Sequence, residues 1–471
     1  MAIELKGPAA DVLRARRQRL SKMMSGEPIL LVGHGSLPRN FLANTHPFRQ
    51  DSTFLYFLGV DQPGAAAVIG AGGHTTLYMP SPAPGDELWH GPGVPFERWV
   101  ARSGVDEVCD RSSLQPASYH CLPVADPVAN QEASRLSGTP LDPRNATGSE
   151  DLRAAVVSLR LCRDAGEVQA IRRALCVTSE AHRVAMESTA PGVTDTEVHA
   201  LIDAVFALHG MPPSYTSIVT ARGEVLHGHA RNEPLRAGEM LLVDAGAEDP
   251  SGYASDVTRT WPVSGTFTAR QAEVYDAVLE ANAQAIACVE PGRRYREVHL
   301  AALEVLTVAL RDLGLLRGSL DGLLEQGAAS VFFPHGVGHL LGLDVHDMEL
   351  LGDAAGYPVD RHRDPAFGLS ALRLDRDLQP GMVVTIEPGI YLVPGILEDA
   401  TLRAQYGDSV DWAEAECWLP FGGVRIEDDV LVTADGNEVL SASIPRTRSA
   451  VEALVGTGPS PRQRLLGGSA S

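Results

Sequence analysis

The sequence predicts an α+β protein in two parts: a smaller α/β region over residues 1–150 and a larger α+β region over 151–455, closed by a tail at 456–471. Three observations carry this. The chain has 471 residues, too many for one ordinary domain and enough for two. Its texture changes near residue 150, where strand-sized apolar runs give way to long helical patterns. A nine-residue pattern occurs twice, as GEMLLVDAG at 238–246 and GMVVTIEPG at 381–389. Each copy is a glycine, an apolar strand, a carboxylate six residues on and a second glycine two further. Each follows a pair of helical patterns and precedes a second acidic strand, so the larger region reads as two equivalent halves.

The elements follow in order. Arg-rich residues 10–20 form an opening helix. Apolar runs at 29–33, 54–58, 65–69 and 75–79 are strand-sized and bounded by Gly and Pro. LDPRNATGSE at 141–150 is turn-rich and polar, a linker. Helical patterns then run to residue 211, one opened by Thr194 with Glu197 as a capping box. Strands are predicted at 216–220, 240–244 and 255–263, helices at 268–289 (Thr268 with Gln271 as capping box) and 295–313, and strands at 383–391 and 423–432. The tail after 456, rich in Gly, Ser and Pro, is expected to be disordered.

Composition narrows the function classes. At 44% hydrophobic and 21% charged, the chain reads as a soluble globular protein. A net charge of −21, from 60 acidic against 39 basic residues, argues against nucleic acid or an anionic membrane as partner. Cys109, Cys121, Cys162, Cys176, Cys288 and Cys417 form no C-x-x-C and read as buried free thiols of a reducing compartment. The first twenty residues lack an apolar signal core, and no run approaches the roughly 18–20 apolar residues of a membrane helix. Cytoplasm is the expected location.

Against that background, Asp244, Asp256, His339, Glu387 and Glu427 stand out. Four carboxylates and one imidazole make a ligand set for two divalent ions. A hard, oxygen-rich set with one His suits Mn²⁺ best, with Co²⁺, Mg²⁺ or Zn²⁺ as lesser candidates. Two such ions at about 3.5–4 Å activate water for attack on a carbonyl. Asp244 ends an apolar strand, where a buried carboxylate needs a partner. A turn aspartate is the bland alternative, and it fits Asp244 poorly. A strand, turn and strand bring Asp256 to the same face. Glu427 could belong to a surface acidic run, but Ile426 and the apolar residues 430–432 make its segment strand-like.

HGVGHLLGLDVHD at 335–347 is the densest polar signal: His335, His339 and His346 within twelve residues, in an apolar, Gly-rich setting. Only one need bind metal; the others suit stabilisation of a developing oxyanion or contact with substrate. Arg425 either simply pairs with a neighbouring carboxylate or has a functional part, orienting a ligand carboxylate or gripping substrate. His227 and His229 form an H-x-H that either chelates or faces solvent along a strand.

With these residues assembled, the chain resembles the Xaa-Pro peptidases of peptidase family M24, the creatinase/methionine-aminopeptidase superfamily that includes aminopeptidase P and prolidase. VDAGAE, SDVTRTWPVSG, HGVGHLLGLDVHD, TIEPGIY and GVRIEDDVLVT carry the resemblance in the second part, in order. FRQDSTFLYFLGV and DELWHG carry it more weakly in the first. The resemblance implies a noncatalytic creatinase-like first domain and a "pita-bread" catalytic domain with pseudo-twofold halves. It implies that Asp256 and Glu427 bridge two metals, that Asp244 completes one, and that His339 and Glu387 complete the other. It makes Glu387 the general base and proton shuttle. His346, His335 and His227 would stabilise the tetrahedral intermediate and seat the proline. The spacing LHGHA leaves His229 open for the third of these roles. The metal of Asp244 would receive the free amino terminus, and Trp89 matches a position near the site mouth. Family members commonly form homodimers or homotetramers.

Aminopeptidase and dipeptidase are separated by recognition of the substrate carboxylate, for which Arg is the natural receptor. Arg373 and Arg425 match the positions that grip it in prolidase. Segments 352–372 and 394–421 resemble both prolidase and a bacterial aminopeptidase P group. Aminopeptidase P is favoured and prolidase is the alternative. A metal-free creatinase-like hydrolase and a noncatalytic binding protein are more remote, since both generally lack the ligand set present here.

Overall fold

A mixed sheet organises the first of two compact units in this computed structural model, which describes residues 7–82 and 84–467. The strand order is Glu107–Asp110, Thr75–Met79, Ala66–Ile69, Ile29–Val32, His120–Cys121. The three inner neighbours pair antiparallel and the two outer pairs are parallel. Leu30, Val32 and Ala66 pack with Ala129, Ala133 and Leu136 of the helix Pro127–Ser137, forming one apolar cluster. The opening helix is Ala10–Met23. Two of its arginines point inward: Arg17 donates to the carbonyls of Phe57, Ser103 and Gly104.

Residues 54–58, expected as a strand, are instead the end of a helix, Ser52–Leu58. Asp51 caps it by accepting from Phe54 N at 2.8 Å, and Gly59 ends it with φ 60°. An apolar run of five is compatible with either state, and here the caps decide. The first unit also runs beyond residue 150. It comprises 1–162, 250–252 and 348–355, and so includes the helix Glu150–Arg160. Tyr56 Oη donates to Leu159 O at 2.6 Å and Arg160 NH1 to Thr53 Oγ1 at 3.0 Å, tying that helix to its own unit. Trp89 lies in this unit on the short helix Asp86–His90, with 79% of its surface exposed.

The second unit repeats a helix pair followed by strands. Ala165–Ser188 and Asp195–Leu208 precede the sheet of Ile218–Thr220, Met240–Asp244 and Thr258–Pro262. Ala269–Ala287 and Tyr295–Asp312 precede the sheet of Val383–Ile386, Asp428–Val432 and Asn437–Val439. Thr194 and Thr268 form the expected capping boxes, and Asp164 with Glu167 forms another. The repeated glycines now have a physical role. Gly238 and Gly381 hold φ of 91° and 93°, each third in a turn that closes on its fourth residue. A Cβ on Gly246 would lie 1.8 Å from Ser255 O, and one on Gly389 would lie 2.7 Å from Val424 O.

Two expected strands are broken. Residues 383–391 divide into Val383–Ile386 and Gly389–Tyr391, because Pro388 has no N–H to extend a ladder. Residues 423–432 divide into Gly423–Arg425 and Asp428–Val432. The tail also differs from expectation. Ser460 caps the helix Pro461–Leu466, Gly458 N donates to Glu187 O at 2.9 Å, and Arg464 pairs with Glu187. Residues 468–471 lie outside the described residues. Among the cysteines only Cys121 is buried; Cys176 and Cys417 are exposed, contrary to the expectation of buried thiols. None of the described helices is long and apolar enough to cross a membrane.

Candidate metal centre

Strand ends and strand breaks from both halves of the second unit converge on one cavity of about 360 Å³. Asp244 closes its strand opposite Thr258. Asp256 lies two residues before Thr258, so the two aspartates sit diagonally on one face. Ile386 faces Asp428, a register that sets Glu387 and Glu427 opposite one another at the two breaks. His339 enters on the loop 335–347, which is stitched to the strand edge: Thr385 N donates to His339 O, and His339 N donates to Thr385 Oγ1, both at 3.0 Å. A Cβ on Gly338 would lie 2.1 Å from Thr385 O, so this approach requires glycine. A buried ion pair of Arg163 with Asp347 anchors the far end of the loop.

All five expected ligands line the cavity. Asp244, Asp256, His339 and Glu427 are buried, and Glu387 is partly exposed. Ligand atoms of Asp256, His339 and Glu427 all fall within 4.8 Å of one another. His339 Nε2 lies 3.4 Å from Asp256 Oδ2 and 3.5 Å from Glu387 Oε1. Asp244 joins the group through Tyr215, whose hydroxyl contacts Asp244 Oδ1 and lies 2.6 Å from Asp256 Oδ1.

The sequence profile described as metallopeptidase family M24 matches residues 169–434, and that of the aminopeptidase P N-terminal domain matches 13–122. The chain belongs to metallopeptidase family M24. Among its relatives is the Xaa-Pro aminopeptidase of Escherichia coli, 32% identical over 463 residues, covering 94% of this chain and 96% of that protein. The human Xaa-Pro dipeptidase is 31% identical over 474 residues, covering 96% and 94%. Among solved structures, zinc-substituted E. coli aminopeptidase P in complex with product superposes with a TM-score of 0.77 at 31% identity, covering 95% of this chain and 98% of that one. A Pseudomonas aeruginosa aminopeptidase gives 0.75 at 30% identity, with the same coverage.

The charge balance of this M24 site fits a divalent metal. Burial, then Asp244, pushes Asp256 up to about 8. Burial pushes Glu387 up to about 7 in spite of His339 and Arg425, and burial with Asp256 raises Glu427 far above the carboxylate range. Burial opposes the charge of Arg425, but Tyr391, Asp244 and the glutamates outweigh it and hold the guanidinium protonated. One such cation does not neutralise four carboxylates, and a hard dication supplies what is missing.

The remaining expected residues line the same cavity: His227, His229, His335, His346, Arg373 and Arg425. The His346 ring stands 4.3 Å from that of His339 at 62°. His335 Nε2 is 2.9 Å from Tyr391 Oη and its Nδ1 is 3.8 Å from Glu387 Oε2; burial, then Arg425, lowers its pKa to about 3, so it is neutral. His227 lies in a turn closed by Gly228 N to Val225 O, and His229 follows that turn; neither is on a strand. Burial and then Arg425 lower the pKa of His227, with Asp244 acting in the opposite sense. Arg425 is buried and directs Nε to Thr258 Oγ1 at 3.0 Å, NH1 to Tyr391 Oη at 3.2 Å and NH2 to Asp244 Oδ2 at 2.6 Å. The carboxylate that Arg425 meets is that of Asp244, one of the expected ligands.

Sequence reasoning missed Tyr215, Thr258 and Tyr391. Thr258 Oγ1 donates to Glu427 Oε2 at 2.7 Å. Burial, then Asp244 and Asp256, raises the Tyr215 pKa, so its hydroxyl keeps its proton. The one available signal was general: a buried Tyr or Thr hydroxyl beside an acidic strand needs a partner.

Proposed function

We propose that the protein removes the N-terminal residue from peptides with proline in second position, as an aminopeptidase P, using two divalent ions, Mn²⁺ foremost and Co²⁺ or Zn²⁺ next. The observation that carries this is the convergence of Asp244, Asp256, His339, Glu387 and Glu427 on one cavity beside four further histidines. Near-full-length similarity to the E. coli Xaa-Pro aminopeptidase supports the substrate class. Asp256 and Glu427 would be shared between the ions, Asp244 would serve one of them, and His339 and Glu387 would serve the other. The chemistry that ions held by these residues would supply is polarisation of the scissile carbonyl and activation of water at neutral pH.

The chain's own side chains do the rest. Glu387, on the cavity wall 3.5 Å from His339 Nε2, accepts a proton and returns it to the leaving proline nitrogen. His346 donates toward the carbonyl oxygen as charge develops on it, while neutral His335, with Nδ1–H directed to Gly336 O at 2.8 Å and Nε2 accepting from Tyr391, helps seat the proline. Tyr391 orients His335 through its hydroxyl. His227 and His229 both line the cavity and are the two candidates for the place beside the substrate. Arg425 fixes the orientation of Asp244, which leaves Arg373 as the candidate receptor for a substrate carboxylate.

Arg373 on the cavity wall and the similarity to the human Xaa-Pro dipeptidase support prolidase as the second reading. Rates on Xaa-Pro dipeptides against Xaa-Pro tripeptides and longer chains, with added Mn²⁺, decide between them. Faster cleavage of the longer peptides supports the aminopeptidase. Cleavage of dipeptides alone overturns it in favour of prolidase, and no cleavage of either overturns both. Metal analysis of active protein tests the ion count, with about two per chain expected. A cytoplasmic homodimer or homotetramer is the accompanying proposal, and sedimentation of the purified protein tests the assembly.

A further inference from the structure

Behind the metal centre lies a buried polar network with no part in the chemistry above. Asn282, 0% exposed on the helix Ala269–Ala287, donates from Nδ2 to the main-chain oxygen of Ile386 at 2.9 Å and to that of Ile426 at 3.4 Å. These residues immediately precede Glu387 and Glu427. Asn282 Oδ1 accepts from Arg446 NH1 at 2.9 Å. A guanidinium only donates, so this contact fixes which way round the amide lies. Arg446 NH1 also donates to Asp428 Oδ2 at 2.7 Å.

The other oxygen of Asp428 accepts from Arg259 NH2 at 2.8 Å and Ser441 Oγ at 2.6 Å. Arg259, also 0% exposed, uses every N–H it has. Nε donates to Pro445 O at 3.0 Å, NH1 to Thr258 O at 2.9 Å and Glu427 O at 2.6 Å, and NH2 to Ile444 O at 3.2 Å besides Asp428. The main chain is therefore gripped on both sides of the Glu427 side chain.

Two facts set this apart from ordinary core satisfaction. Both strands are interrupted where the glutamates stand, so the ladder does not fix their direction through the break. A single amide reaches both interruptions. We propose that Asn282 is a positioning residue. By holding the carbonyls before Glu387 and Glu427 on one side chain, it sets the separation of the two glutamates and hence the affinity for the ion held by His339 and Glu387. Arg259 and Asp428 brace Glu427 from the far side. The inference rests on the two-metal reading above.

The test titrates metal-free protein with Co²⁺, following its visible absorption, in the parent, Asn282→Leu and Asn282→Ser. Leucine keeps the volume and removes both donors, whereas serine keeps one. In Asn282→Leu the weaker of two Co²⁺ affinities is expected to fall about tenfold, within the range for groups supporting metal ligands. KM for an Xaa-Pro tripeptide stays within about twofold, and saturating metal restores most of kcat; Asn282→Ser falls between. Melting of the metal-free variants separates a merely structural role. A parent-like isotherm in Asn282→Leu, or affinity losses that simply follow metal-free melting temperature, overturns the inference while leaving the two-metal reading intact. A parent that binds no ion pair overturns both. Should Asn282→Leu fail to fold, Asn282→Ser decides alone: a parent-like isotherm overturns the inference.

Discussion

The two halves of the catalytic unit carry the same nine-residue pattern and hold their acids by different means. In the first half, Met240–Asp244 is the central strand of its sheet and runs unbroken to its carboxylate. The acids there are aspartates, steadied inside the cavity by Tyr215 and Arg425. In the second half, Val383–Ile386 is an edge strand, the chain breaks at both acids, and the acids are glutamates. A glutamate has one more rotatable bond than an aspartate and more freedom to lose. The second half answers with main-chain restraints: Glu387 N donates to Val337 O at 2.7 Å, Glu427 N to Thr258 O at 3.0 Å, and Asn282 and Arg259 hold the adjoining carbonyls. A duplicated strand fixes where an acid begins. What it can do depends on whether side chains or backbone hold it.

The sharpest way to break this comparison is Glu387→Ala. The fold, read by circular dichroism, is expected to survive while Xaa-Pro turnover drops about 10²–10⁴-fold, the scale of a lost acid–base group. Near-normal turnover would sink the role given to the second half. The first half is probed by Tyr215→Phe, which keeps the ring and deletes the hydroxyl. Weaker metal binding or activity by about 10–100-fold is expected, and unchanged Mn²⁺ affinity with unchanged kcat would show that Asp244 and Asp256 need no such support. Arg373→Ala lies outside both halves' acids. It is expected to lower kcat/KM on Gly-Pro about tenfold more than on a longer Xaa-Pro peptide, the scale of one charged hydrogen bond. Equal losses would count against a carboxylate receptor there.

The smallest effect concerns the metal-free protein. Asp256 and Glu387 titrate at about 8 and about 7 in the fold, far above ordinary carboxylates. The folded chain therefore keeps protons that the unfolded chain releases from about pH 4 upward, and the stability this confers is lost as pH rises through 7 and 8. His182 and His299, both held near 4 chiefly by burial, are already neutral above about pH 6.5 and add no slope there. Metal-free protein should melt a few degrees lower at pH 8 than at pH 6.5, and Mn²⁺ should close the gap. A flat profile in differential scanning calorimetry would refute the crowding of protonated acids.

Much of the fold was legible. Capping boxes at Thr194 and Thr268, the repeated glycine-strand-acid pattern and the apolar runs at 29–33 and 75–79 each carried a local physical signal strong enough to survive packing. The failures have causes of the same kind. The helix Ser52–Leu58 turned on one capping aspartate in a run too short for periodicity to decide. The ordered tail depends on Arg464 finding Glu187, a distant partner that composition does not encode. At the centre, the carboxylates and histidines were readable because such residues are costly in apolar surroundings. Tyr215 and Asn282 were not, because their importance lies wholly in what they touch.

Tyr215 has a last consequence. Its phenol has one hydrogen and two carboxylate oxygens within reach, on Asp244 and Asp256. One hydrogen cannot serve both, so an empty centre must borrow another from solvent, and that borrowed hydrogen occupies ground a cation would claim. Acidification and chelation thus push the same lever. The acid limb of the enzyme's rate profile should slide to lower pH as the metal dose is raised, so that no single optimum describes it.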